Sequence, residues 1–151
     1  MDRLIMLIAT GCYSGYLPTM PGTWGTLVAF PLHFLLLRLP ATLYLPALGL
    51  IFLLAVFTAG SAEKIVNHSD PGIIVIDEII GMLVGLIGVP WKAAPLFCAF
   101  VLFRLFDILK PFPVGWVDTR LHGGLGIVLD DVVAGIYTLL AMQGAKYLLG
   151  W

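Results

Sequence analysis

Between Arg3 and Arg38 the chain carries no charged side chain, and after Arg38 none follows until Glu63. Two uncharged runs this long in 151 residues decide the environment before anything else does. A helix needs about 20 mostly apolar residues to cross a ~30 Å hydrocarbon core, and Ala41 to Gly60 supplies them unaided. The chain as a whole is 60% hydrophobic and 11% charged, against roughly 25% charged in ordinary globular domains. Too few charges exist to coat a freely soluble domain, and a net charge of −1 offers no basic face to a nucleic acid. Cys12 and Cys98 are too sparse for a disulfide scaffold or a zinc cluster. The expectation is an all-α chain, residues 1–151 forming one membrane-embedded domain. It should be a compact multi-pass helical bundle of four or five embedded helices, some short or interrupted.

Glycine and proline place the breaks. The first run contains Gly11, Gly15, Pro18, Pro21, Gly22 and Gly25, which predicts a short N-terminal helix, a loop through Pro21-Gly22, and a helix from about Gly25 to Arg38. Ile73 to Val89 is apolar except for Asp77 and Glu78. Pro90 and Pro95 bracket a turn holding Trp91 and Lys92, a pair suited to a membrane surface. Ala94 to Leu109 reads as a further helix. A loop from Phe112 to about Gly126 then leads to a last helix, Ile127 to Leu149, with Lys146, Tyr147 and Trp151 as an aromatic and basic fringe.

Thirteen of the seventeen charges lie between Glu63 and Asp131. Ionisable groups are costly inside a bilayer and usually face a cavity or one another, so these clusters are where chemistry is sought. In Val75-Ile76-Asp77-Glu78-Ile79-Ile80-Gly81 the two acids flank one side of a helix, as a buried site or as a solvated helix end. Arg104, Asp107 and Lys110 are spaced i, i+3, i+6 on one helix face. They form either an ion-pair ladder or a metal-ligating acid between two phosphate-binding cations, arginine as a planar fork and lysine as a point charge. Gly123-Gly124-Leu125-Gly126 followed by Asp130-Asp131 reads as a glycine loop exposing N–H groups to an anion, with paired carboxylates one turn on to bring a cation; acids that merely stabilise the helix dipole are the alternative. In Pro21-Gly22-Thr23-Trp24-Gly25-Thr26, Thr23 either caps a helix or contacts phosphate or metal. His33, His68 and His122 form no site; His33 reads as a satisfied intramembrane residue and the other two as surface groups.

Known phosphatase chemistries narrow the field. Cys98 to Arg104 spells C-x5-R, but Ala99 to Phe103 are all apolar and would continue a helix, leaving no phosphate cradle. The chain has no Ser-Gly-His, no Asp-x-Asp-x-Thr or Val, and no Asp-Gly-x-x-Ala-Arg. Metal-assisted chemistry on carboxylates survives, and hard oxygen ligands select Mg²⁺ or a similar cation. A small ion-coupled transporter would also carry intramembrane acids and broken helices, with inverted repeats; no repeat is visible. A scaffold whose acids only pair with Arg104, Lys110 and Arg120 is a further alternative.

At Pro21 to Thr26, Asp77 to Met82, Phe103 to Pro113 and Gly123 to Gly135, in that order, the chain resembles the phosphatidylglycerophosphatase A family. The resemblance implies an enzyme of the bacterial inner membrane, its site facing the cytoplasmic side. It would hydrolyse the lipid phosphatidylglycerophosphate to phosphatidylglycerol and phosphate with Mg²⁺. On that basis Asp77, Glu78, Asp107, Asp130 and Asp131 are expected to be catalytic and to surround one Mg²⁺ centre, directly or through water. Arg104, Lys110, Thr23, Gly124 and Gly126 are expected to hold the phosphate. Asp131 is the acid assigned to activate water or attack phosphorus, and Asp70, Asp118 and Arg120 are of second rank.

Overall fold

The computed structural model describes residues 1–150; Trp151 of the expected terminal fringe lies outside the described residues. Among these the chain is entirely helical. The helices are α1 (Asp2–Ala9), α2 (Pro21–Leu36), α3 (Ala41–Val66), α4 (Ile76–Gly85), α5 (Ala93–Leu109), α6 (Val114–Arg120) and α7 (Gly123–Leu149), with a 3₁₀ turn at Ser14–Tyr16. By length and composition α3 and α7 are long and apolar enough to cross a membrane. Their outward faces are apolar too: Leu50, Leu53, Phe57 and Leu140 are all exposed.

The shortest of the central helices organises the others. Ile76, Ile79, Ile80, Met82 and Leu83 of α4 are all buried, and α4 packs against α2, α3, α5 and, most extensively, α7. That last contact is made by main chain. A Cβ on Gly81 would strike the Asp131 carbonyl, and one on Gly135 would strike the Gly81 carbonyl. Gly81 and Gly85 stand four apart, the small-residue spacing that lets two helices approach closely in a membrane. The same device joins α3 to α7, where a Cβ on Gly124 would meet the Val56 carbonyl and the Gly60 amide.

Two expected boundaries are corrected. α2 begins at Pro21, not Gly25, so Pro21-Gly22 is its first turn; proline there has a pre-set φ and no amide to leave unpaired. The expected loop from Phe112 to Gly126 contains α6, and α7 starts at Gly123. The glycines are therefore the first turn of a helix. They remove Cβ atoms where α7 touches α3 and, at Gly126, the main chain of Leu121.

His33 is fully buried on α2. Its Nε2 lies 3.0 Å from the Val89 carbonyl, and the Tyr44 hydroxyl lies 3.3 Å from Nδ1. Both ring nitrogens are thus satisfied, as the sequence suggests. The ring ties α2 to α3 and to the α4–α5 connection, away from the acids.

Candidate active site

At one end of the bundle the start of α2, the end of α3, the first turn of α4, the end of α5 and the first turns of α7 surround a cavity of about 540 Å³. Three helices deliver the charged groups. Asp77 and Glu78 occupy the first turn of α4, where the helix dipole favours anions. Asp130 and Asp131 lie two turns into α7. Arg104 and Asp107 come from the last turns of α5, and Lys110 caps it.

All five expected acids line the one cavity, and three of them converge most closely. Asp77, Glu78 and Asp131 each offer a carboxylate oxygen within 4.8 Å of the others. Asp107 is drawn off by Arg104, whose Nη1 lies 2.6 Å from Asp107 Oδ2. Asp130 is drawn off by Lys110, Nζ to Oδ2 2.9 Å. Helical geometry explains the division, because neighbours diverge by about 100°. Asp131 is turned to the α4 acids, and Asp130 to the end of α5.

Lys110 is shared. Its ammonium also lies 2.7 Å from Asp118 Oδ1 on α6, which brings a second-rank residue into the site. Lys110 adopts φ +43°, a left-handed cap that turns the chain from α5 into α6. Partial burial alone would lower its pKa, but hydrogen bonds and attraction from Asp118 and Asp130 outweigh this and hold it above the usual lysine range.

Several buried polar atoms have no partner among the described residues: Asp77 Oδ1, Glu78 Oε2 and Asp130 Oδ1 as acceptors, and Arg104 Nε and Nη1 as donors. Arg104 Nη1 is close enough to Asp107 for an ion pair, and 4.0 Å from Glu78 Oε1, yet no acceptor lies along its N–H directions. Buried polar groups are rarely left so. Open carboxylate oxygens beside a guanidinium are groups that a cation and an anion bound side by side would satisfy. The three converging carboxylates suit Mg²⁺, which takes oxygen ligands and completes its shell with water and phosphate.

The remaining expected contacts separate. Gly126 lines the cavity, as does Gly22, where a Cβ would run into Glu78 Oε1 and the Arg104 guanidinium. Thr23 does not line it, and its hydroxyl does not cap α2 either, whose cap residue is Met20. Gly124 is taken up by packing on α3 and is likewise outside the lining. Asp70 lines the mouth and Arg120 does not. Sequence reasoning missed Glu63 and the mouth position of His122, the residue preceding α7. Glu63 carried a signal, as the first charge after the long apolar run of α3.

Comparison with known proteins covers most of the chain. The family model described as phosphatidylglycerophosphatase A matches residues 7–146. The chain is 39% identical to a phosphatidylglycerophosphatase A of Escherichia coli (strain K12), over 95% of its own length and 82% of that protein. It is 38% identical to one of Haemophilus influenzae, over 95% and 89% respectively. A protein of Bacteroides thetaiotaomicron named as a candidate phosphatidylinositol-3-phosphatase is 36% identical, over 97% of this chain and 96% of that one. No solved structure matches the chain.

Proposed function

The chain belongs to the phosphatidylglycerophosphatase A family, and from that premise we propose that it hydrolyses phosphatidylglycerophosphate to phosphatidylglycerol and inorganic phosphate. The reaction is Mg²⁺-dependent and takes place at the cytoplasmic face of a bacterial inner membrane, which the chain crosses several times. The observation that carries this is the convergence of Asp77, Glu78 and Asp131 beside the open donors of Arg104. Family membership supplies the lipid; the geometry supplies the chemistry.

Asp77, Glu78 and Asp131 would hold the cation. When bound, Mg²⁺ supplies Lewis-acid polarisation of a phosphoryl oxygen. Arg104 offers Nε to the terminal phosphate, with Asp107 beside Nη1 fixing the plane of the guanidinium. Lys110, braced between Asp118 and Asp130, adds a point charge on the other side. Together they offset the charge that builds up as the bond to the glycerol oxygen breaks. Asp131, the acid expected from sequence to activate water, belongs to the triad; Asp130, which keeps Oδ1 unpartnered, takes the proton of the attacking water in its place. Gly22 leaves the space beside Glu78 and Arg104 in which a phosphate fits. The lipid tails stay in the bilayer while the phosphate enters at headgroup depth.

The transporter alternative calls for acids near mid-membrane, whereas this cavity is lined by helix ends. The name of the Bacteroides relative favours one variation on the substrate, a different headgroup with the same chemistry of a phosphomonoester on a membrane lipid. The test is phosphate release by purified protein from phosphatidylglycerophosphate and from phosphatidylinositol 3-phosphate, each with Mg²⁺ and with chelator. Release from the first lipid, abolished by chelation, is expected. Equal rates with and without chelator, or no release, overturn the proposal.

A further inference from the structure

At the opposite end of α5 a second cavity of about 590 Å³ opens between α5 and α7, within the ~300–1,000 Å³ typical of ligand sites. Phe97, Val101 and Leu102 of α5 and Met142 and Ala145 of α7 form its walls, and Lys92 stands at its end. Lys146 follows Ala145 on α7, and its ammonium lies 3.5 Å from the Gly88 carbonyl, over the segment that leads to Lys92. Trp91 is half exposed beside them, as expected of a ring at headgroup level. Neither lysine has a carboxylate partner among the described residues; all four ion pairs there lie at the other end of the bundle. The 17 residues of α5 put about 25 Å between the two ends, so this groove is separate from the acids.

We propose that this groove binds one acyl chain of an anionic phospholipid whose phosphate lies against Lys92 and Lys146. An apolar chain gains little by leaving bulk lipid for an apolar groove, so the two unpaired cations must provide the selectivity. A basic group near a membrane surface favours an anionic headgroup about fivefold. A second copy of the chain fits the same groove less well, because a self-complementary interface brings two more cations to an already positive patch. The bound lipid braces α5 against α7, the helices that carry Arg104, Asp107, Asp130 and Asp131.

The test uses delipidated full-length protein in neutral detergent, with phosphatidylserine or phosphatidylcholine added and thermal unfolding recorded. Phosphatidylserine is neither the proposed substrate nor its product, so the result is independent of activity. At ten times its dissociation constant it should raise Tm by about 3–6 °C, and phosphatidylcholine should not. In K92Q/K146Q, two exposed substitutions that leave the core untouched, the rise should fall below about 1 °C; K92R/K146R should retain it. An equal response to both lipids, or a rise that survives K92Q/K146Q and disappears in R104Q, overturns the proposal. So does a detergent-solubilised dimer that V101W disperses, which would make a second copy the occupant.

Discussion

Lys110 Nζ stands 2.9 Å from Asp130 Oδ2, a contact that fastens the cap of α5 to α7 and leaves the second oxygen of Asp130 free. Replacing Lys110 by methionine therefore removes the proposed phosphate contact and also leaves Asp118 and Asp130 facing without a countercharge. kcat/KM should fall by about 100-fold or more. Asp118→Asn removes only one of two braces and should cost less than about tenfold. Steady-state kinetics on the two variants separate these effects.

Asp131→Asn should separate activity from stability. Asp131 is buried and faces the α4 acids, so the substitution removes one of three like charges gathered in a poorly solvated place. Activity should drop by about 100- to 1,000-fold, while the Tm without divalent cation stays level or rises. A scaffold in which these acids serve only stability predicts the opposite pattern.

Two glycines should respond differently to alanine. A Cβ on Gly22 meets the movable end of Glu78, which can swing aside, so Gly22→Ala should leave Tm nearly unchanged and reduce activity by displacing Glu78. On Gly81 the obstacle is the main chain of Asp131, which cannot yield locally. Gly81→Ala should cost about 1–3 kcal/mol of stability, read from unfolding in detergent.

His33→Leu should be a purely structural lesion. It orphans the buried Val89 carbonyl and the Tyr44 hydroxyl, at about 1–3 kcal/mol for such a loss. Activity per folded molecule should be preserved, because His33 is remote from the acids. A loss of kcat in the folded fraction would place His33 in the chemistry instead.

Membrane residence and helical architecture were legible from the uncharged runs, and the charged motifs from their isolation within apolar sequence. What sequence could not resolve is how α5 meets α7. The Arg104–Asp107 pair lies within α5, as the i, i+3 spacing allows, but only the crossing of the helices reveals that Lys110 pairs with Asp130. Glycines misled for a related reason. Gly123 to Gly126 have the composition of an anion-binding loop, yet a glycine that admits a phosphate and one that admits a neighbouring helix look the same in a string of letters. In this chain Gly22, beside Glu78 and Arg104, is proposed as the first kind, and Gly124, packed on α3, is the second.

The main-chain contact between α4 and α7 has a consequence for the precision of the acid triad. Where side chains separate two helices, every core substitution changes the gap. Here the gap is the thickness of two peptide backbones meeting at Gly81 and Gly135, so the separation of the main chains that carry Asp77 and Asp131 does not depend on how intervening side chains pack. The outer helices can tilt as bilayer thickness varies while the main chains that carry the acids keep their spacing. An enzyme that edits the composition of its own solvent carries its ruler in its backbone.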